Sequence, residues 1–159
     1  MHQRSPCAYR ATLTPEPEGG FTVMFPDVPE AITYGADERE AMEMASEVLE
    51  LAIVARMEQG EDLPSQQSGA SDDLLVPLRP LLGAKAALYD ALSRGKVSKS
   101  ELARRLGVDE AIVRRMLDPA RATRVDNLAA ALAALGQHLQ VTTTEAPHSR
   151  HRPRMASQS

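Results

Sequence analysis

Residues 99–118 have the sequence KSELARRLGVDEAIVRRMLD, a pattern typical of two short helices joined by a tight turn. Two helices that cross steeply need apolar inner faces, a small residue where they touch, and a turn residue that tolerates left-handed φ. Ala103 supplies the small contact and Gly107 the turn. The apolar positions are Leu102, Leu106, Val108, Val113 and Met116. The stretch therefore predicts a helix-turn-helix.

Two apolar-rich stretches flank this motif, from about Leu81 to Arg94 and from about Val125 to Gly136, and both have the composition of helices. Together with the motif they predict an all-α bundle. Over about residues 81–141 this bundle resembles the lambda-repressor-like, Cro-type DNA-binding domains. The resemblance implies that the second helix of the motif enters the major groove of DNA.

The outward side chains early in that second helix are the predicted base readers. Arginine can bridge guanine O6 and N7, glutamate can accept from cytosine N4, and alanine can contact a thymine methyl group. Polar side chains around the motif are better placed to bind phosphates, which position a domain without reading sequence. The predicted base readers are Glu110, Ala111, Arg114 and Arg115, and the predicted phosphate contacts are Lys96, Lys99, Arg104, Arg121, Thr123 and Arg124. Because one such domain binds weakly, we expect a homodimer or homotetramer on paired half-sites.

The formal charge of −4 over 159 residues is unevenly distributed along the chain. Residues 1–73 carry fifteen acidic and four basic side chains, a balance of −11. Residues 74–159 carry seven acidic and fourteen basic side chains, a balance of +7. A basic half suits a polyanion such as nucleic acid, and an acidic half suits a cationic partner. We therefore expect two modules with different partners.

The acidic half has the pattern of a small sheet followed by one long helix. Asp37, with Glu40 three residues later, predicts the N-cap of a helix that ends near Gln59. A short final strand is predicted near residues 61–65. Three earlier stretches have the alternation or composition of strands: Ala8–Thr14, Phe21–Phe25 and Ala31–Tyr34. The predicted fold class is α+β, a β-β-β-α(-β) module followed by an all-α module.

The composition also predicts where the modules end. Residues 63–73 are rich in Ser, Gln, Gly and Asp, as linkers are. Residues 146–159 contain three Arg, two His and few apolar side chains, which predicts a disordered tail. The predicted organisation is a first domain over residues 1–65, a linker over 66–80, a helical domain over 81–145 and the tail.

A segment of the acidic half, from Gly19 to Ser46, contains a set of spaced motifs. They are Gly20-Phe21, Val23, Phe25-Pro26-Asp27-Val28-Pro29, Thr33-Tyr34-Gly35, and Glu38 followed by Ala41 and Ala45. On these residues the chain resembles the HicB family of antitoxins over about residues 9–64. Where that family usually has Gly after the second proline, this chain has Glu30, and Ala31 stands where Cys or another small residue is common.

The resemblance implies a partial RNase H-like fold for the first domain and an antitoxin function. The acidic domain is expected to bind and neutralise a HicA-type, mRNA-cleaving toxin. The basic domain is expected to bind operator DNA and repress the shared operon. An anionic surface would steer a cationic RNA-binding toxin towards it. The candidate toxin-binding residues, near the hairpin and the loop after it, are Glu16, Glu18, Asp27 and Glu30.

Two other functions are compatible with parts of the sequence. RNase H-like folds can be nucleases, but two-metal hydrolysis needs several converging carboxylates, and the strand Ala8–Thr14 has none. We therefore expect no catalytic residue, no metal site and no cofactor. The alternative is a transcriptional regulator whose N-terminal domain senses a small ligand. The polar N-terminus, the lone Cys7 and the lack of a long apolar run predict a cytoplasmic protein with no membrane span.

Overall fold

The computed structural model describes residues 6–64 and 74–145. It has a four-stranded antiparallel sheet covered by one long helix, followed by a group of helices, which confirms the predicted α+β class. The elements are β1 (Ala8–Pro15), β2 (Phe21–Met24), β3 (Ile32–Gly35), α1 (Glu38–Glu58), β4 (Leu74–Pro77), α2 (Pro80–Gly95), α3 (Lys99–Leu106), α4 (Glu110–Leu117) and α5 (Val125–Ala134). We call β1–β4 with α1 the sheet module, and α2–α5 the helical module.

The sheet has the strand order β3-β2-β1-β4, and every neighbouring pair is antiparallel. Successive side chains of a strand point to opposite faces. Tyr9, Val23 and Val76 lie on the inner face and are fully buried. Met24 and Ile32 lie on the outer face and are about half exposed. The inner face packs against α1, and the exposure of Met24 and Ile32 shows that no described element covers the outer face at these residues.

Helix α1 begins at the predicted cap. The Glu40 amide donates to Asp37 Oδ1 at 2.8 Å, and the Glu40 carboxylate accepts from the Ala36 amide at 2.7 Å. The first bond caps the helix, and the second binds the residue before the cap to the first turn. The buried stripe of the helix, which packs on the sheet, consists of Ala41, Ala45, Leu49, Ile53 and Met57. The helix predicted to run from Asp37 to about Gln59 is therefore confirmed.

The fourth strand lies at Leu74–Pro77 and not near residues 61–65, where it was predicted. It pairs with β1, so that Val76 lies opposite Tyr9 and both side chains enter the core. Residues 61–64 form no strand. A domain boundary at residue 65 would separate β4 from its sheet, because the strand lies inside the predicted linker. The rest of that linker up to residue 73, and the predicted tail, lie outside the described residues.

Helix α2 belongs to two hydrophobic cores at once. Leu82 and Ala86 are part of the core between the sheet and α1. Ala84, Leu88 and Leu92 are part of the core formed with α3, α4 and α5. A polar bond of α2 also reaches the segment that follows α1: the Tyr89 hydroxyl donates to the Glu61 carbonyl at 2.7 Å. The two modules therefore share a structural element.

Candidate interaction surfaces

Helices α3 and α4 lie where the sequence predicts them and are joined by a tight turn. Ser98 caps α3, because its hydroxyl oxygen accepts from the Glu101 amide at 3.0 Å. The helix ends at Gly107, whose φ of 66° is left-handed and suits glycine. The Val108 amide then donates to the Ala103 carbonyl at 3.0 Å. This turn directs the chain into α4 at Glu110.

Helix α4 has one buried and one exposed face. Val113, Met116 and Leu117 pack into the helical core. Ala111, Arg114 and Arg115 lie on the other face and are exposed, as the 3.6-residue period of a helix requires. Glu110 is half-buried. The structure therefore brings the four predicted base readers together on the first two turns of one short helix.

Two of these side chains are bonded to each other. The Glu110 carboxylate accepts from Arg114 at 2.6 Å and from the Ser100 hydroxyl of α3 at 2.7 Å. The bonds from Ser100 and then Arg114 lower the pKa of Glu110. Arg115, in contrast, forms no ion pair within residues 6–64 and 74–145. Of the two outward arginines, Arg115 is the one whose guanidinium can bind another molecule without first breaking an ion pair.

The predicted phosphate contacts are spread around α3 and α4 and are exposed, except for Thr123, which is half-buried. Arg104 pairs with Glu101 at 2.6 Å, and Arg121 lies 3.7 Å from the Asp118 carboxylate. Three other members of this set form no ion pair in the described part of the chain: Lys96, Lys99 and Arg124. Lysine and arginine side chains that neutralise phosphates supply the sequence-independent part of DNA binding.

The second exposed surface lies on the outer face of the sheet. Met24 of β2 is directly opposite Ile32 of β3, and Tyr34 lies two residues further along the same face. Their exposed fractions are 47%, 53% and 52%. We call these three residues the outer patch. The patch was not predicted, because the alternation of Phe21–Phe25 points to one buried face. Met24 directly follows the inward Val23 and therefore points to the opposite face of the sheet, where Ile32 of β3 lies beside it. These two apolar residues were the signal that both faces of the sheet are apolar.

The predicted toxin-binding residues do not form one cluster. Glu16 and Glu18 lie in the turn before β2, in an open concavity that they share with Tyr34. The Tyr34 hydroxyl donates to the Gly19 carbonyl at 2.9 Å, which fixes the tyrosine over this turn. Asp27 and Glu30 lie in the loop after β2, at the opposite end of the strand. Four strand residues span about 13 Å, so the two pairs are separated along the sheet.

Glu30 is bonded within the sheet module. Its carboxylate accepts two hydrogen bonds from Arg56 of α1, one of them at 3.0 Å from Nη2. These bonds lower the pKa of Glu30, although burial acts in the opposite direction. The residue that departs from the family pattern thus ties the β2–β3 loop to α1. Asp27 is half-buried, and its Oδ2 atom has no hydrogen-bond partner among the described residues.

The Glu30–Arg56 pair should make stability depend on pH. A carboxyl group whose pKa is lower in the folded chain stabilises the fold above its unfolded pKa, here 4.5, and loses that contribution as pH falls through the lowered value. At neutral pH we expect Glu30→Gln to cost about 0.5–1 kcal/mol, because the pair is two-pronged but partly exposed. Urea denaturation of both proteins at neutral and acidic pH measures this difference, which should vanish at the acidic end.

The exposed pair Arg39–Glu43 provides the control for that experiment. Both side chains are more than half exposed, so Glu43→Gln should leave the unfolding free energy unchanged within error. Equal losses for the two variants, or a Glu30→Gln loss that persists in acid, would contradict the assignment.

Residues 6–64 and 74–145 contain neither of two further classes of site. No group of three or more His, Cys, Asp or Glu side chains there could hold a metal ion. None of the helices in this part of the chain combines the length and the apolar composition that a membrane crossing requires.

The sequence is similar to those of known antitoxins. Residues 8–87 match the family described as HicB-like antitoxin of bacterial toxin-antitoxin system. Antitoxin HicB of Escherichia coli strain K12 is 35% identical over 133 residues, which cover 84% of this chain and 96% of that protein. Antitoxin HicB 1 of Photorhabdus laumondii is 35% identical over 134 residues, which cover 84% and 85%. Antitoxin HicB of Pseudomonas fluorescens strain Pf0-1 is 30% identical over 132 residues, which cover 82% and 90%.

Proposed function

The chain belongs to the HicB-like antitoxin family, and on that premise we propose how its two modules divide the work. The sheet module binds and neutralises a HicA-type, mRNA-cleaving toxin. The helical module binds operator DNA and represses the shared operon. Both events take place in the cytoplasm, where the mRNA and the operon are.

The outer patch is the observation that best supports a toxin-binding role for the sheet module. Met24, Ile32 and Tyr34 are adjacent apolar side chains on a sheet face that no described element covers. Contiguous exposed apolar residues on a soluble module mark a contact with another molecule. Aromatic and methionine side chains are also enriched in protein interfaces. We therefore place the centre of the toxin interface on the outer patch.

The charge of the neighbouring turn favours a cationic partner. Glu16 and Glu18 lie beside Tyr34, at the edge of the patch. The first 73 residues of the chain carry a balance of −11. A protein that binds RNA presents basic side chains, and an acidic rim around an apolar centre accelerates its association and orients it. Of the four predicted toxin contacts, Glu16 and Glu18 share a concavity with Tyr34, and Asp27 and Glu30 lie in the loop that joins Met24 to Ile32.

Replacing Ile32 with lysine should abolish neutralisation. The change puts a positive charge in the middle of the patch, where it meets the basic partner and removes apolar contact area. We expect the toxin affinity to fall by about thirtyfold or more, which corresponds to about 2 kcal/mol at an interface centre. The measurement is growth rescue on co-expression with the toxin of the same operon, together with the dissociation constant of the purified pair.

The matched control is Leu51→Lys on α1. Leu51 is 70% exposed, so the variant carries the same change of charge on a different face of the same module. It should neutralise the toxin as the parent chain does. If Ile32→Lys also neutralises normally, the interface lies elsewhere on the sheet module. If the parent chain itself does not rescue growth, the antitoxin proposal is wrong.

The exposed face of α4 supports the DNA-binding role. Two arginines project from a short helix that follows a glycine turn, and exposed cations surround it. In the proposed helix-turn-helix, α4 enters the major groove, and Arg115 and Arg114 contact guanine edges. Ala111 contacts a thymine methyl group. Glu110 reaches a base when it releases Ser100 or Arg114.

A homodimer or homotetramer completes this proposal. One recognition helix covers only a few base pairs, and specific binding of a genomic site needs a second half-site about 34 Å away. Binding of the promoter fragment by the intact chain, and its loss on removal of the α4 arginines, tests the second role.

A further inference from the structure

Lys85, near the middle of α2, is buried although lysine is seldom buried without a partner. Its exposed fraction is 0%. The ammonium group donates to two backbone carbonyls at the end of α4, at 2.6 Å to that of Asp118 and at 3.2 Å to that of Arg115. One side chain of the shared helix therefore holds the last turn of α4.

The chemistry of this contact suits a helix C-terminus. The last carbonyls of a helix carry partial negative charge. Each of these two also accepts one backbone amide, Arg115 from Asp118 at 3.3 Å and Asp118 from Arg121 at 3.1 Å. An ammonium group offers three donors, and two of them are used here. Burial lowers the pKa of Lys85, and the negative charge of Asp118 acts in the opposite direction. Replacement by an apolar side chain removes the charge and leaves both carbonyls without this donor.

The backbone of Lys85 is held from two sides. Its neighbour Ala86 packs in the sheet core, and its other neighbour Ala84 packs in the helical core. The side chain starts from the helix that both cores fix and ends on the turn from which Arg114 and Arg115 project. A displacement of that turn would move both arginines together relative to the rest of the chain.

We propose that Lys85 is a positioning residue for DNA recognition: it sets the position of α4 against α2 and so aims the α4 arginines at the bases. Lys85 itself touches no DNA in this arrangement, since it is buried behind α4. The inference rests on the proposed DNA-binding function.

Lys85→Met is the test variant, because methionine has a similar length and no donor. We expect the ratio of operator affinity to non-specific DNA affinity to fall about tenfold or more, since base contacts need accurate placement. Non-specific affinity should change little, because the exposed cations remain. Lys85→Arg, which keeps the charge and the donors, should restore most of the ratio.

A control separates positioning from loss of stability. Leu128→Ala opens a void in the same helical core but leaves the bond between Lys85 and α4 in place. It should lower the melting temperature while keeping the affinity ratio, when both are measured well below that temperature. A similar fall of the ratio in Leu128→Ala and Lys85→Met would overturn the proposal. Should Lys85→Met not fold, Lys85→Gln, which keeps a neutral N–H donor, takes its place.

A second measurement works without DNA. Amide NMR signals of residues 115–118 should shift in Lys85→Met and return towards their parent positions in Lys85→Arg, while signals of the sheet module stay constant. Unchanged signals together with an unchanged affinity ratio would refute the role of Lys85. If the parent chain binds no operator, the proposed DNA function fails, and the NMR comparison still decides whether Lys85 positions α4.

Discussion

Gly35→Ala should lower the free energy of unfolding by about 3 kcal/mol, near the upper end of what overpacking costs. Gly35 ends β3 opposite Phe21, just before the cap of α1, and is buried. A Cβ atom at this position would lie 2.2 Å from the Ala41 amide nitrogen and 2.4 Å from the Ala41 Cα. Both atoms belong to the backbone, so no side-chain rotation can relieve the clash. The start of α1 would have to move away from the sheet.

Urea denaturation measures this loss, and the melting temperature should fall by about 10 °C for a chain of this length. Gly95→Ala is the control. Gly95 is the last residue of α2, and the nearest atom to its added Cβ would be a methyl group of Val97 at 3.5 Å, an ordinary contact. Alanine restricts the unfolded chain, so this variant should be as stable as the parent or more stable by about 0.5 kcal/mol. Equal stability of Gly35→Ala and the parent would show that α1 can shift without cost.

Arg114→Ala combined with Arg115→Ala should abolish specific operator binding, with a loss of about a hundredfold or more in affinity. A two-pronged arginine–guanine contact contributes about 1–3 kcal/mol of discrimination. If the arginines read bases, the loss falls mainly on the operator. If they contact phosphates instead, operator and non-specific DNA weaken alike, and the salt dependence becomes shallower by about one unit per contact. Fluorescence anisotropy at several salt concentrations distinguishes the two cases.

The control for this experiment removes two arginines outside α3–α5. Arg39→Ala with Arg79→Ala changes the net charge by the same amount, because it also removes two arginines. Arg39 pairs with Glu43 on α1, and Arg79 pairs with Glu50. That double variant should keep operator binding, and both double variants should neutralise the toxin. Operator binding that survives the loss of Arg114 and Arg115 would remove α4 as the recognition helix.

Local patterns were sufficient to predict most of the secondary structure. The pair Asp37 and Glu40 predicts where α1 begins, because the bonds of this cap lie within five consecutive residues. The turn at Gly107 is equally local, since only the backbone there needs left-handed φ. The ion pair of Glu110 with Arg114 was also predictable from their spacing of four residues on a helix.

What was missed depends on contacts between distant segments. Strand β4 begins with the unbroken apolar run Leu74-Leu75-Val76, which shows no alternation, and its partner β1 is near the other end of the module. Lys85 resembles any solvated lysine of an amphipathic helix until α4 is placed beside it. The four candidate toxin-binding residues lie in two loops at opposite ends of β2, and which of them contact a toxin stays a prediction. The roles of all these residues in binding remain predictions.

Because α2 contributes to both cores, exchange of parts between related antitoxins is constrained. In a chimera joined before α2, this helix packs against the sheet of a different antitoxin. In a chimera joined after α2, helices α3–α5 pack against the α2 of a different antitoxin. The first chimera needs residues at positions 82 and 86 that fit the sheet core. The second needs residues at positions 84 and 88 that fit the helical core. Recombination that exchanges the helical module must therefore also exchange the α2 side chains that contact it.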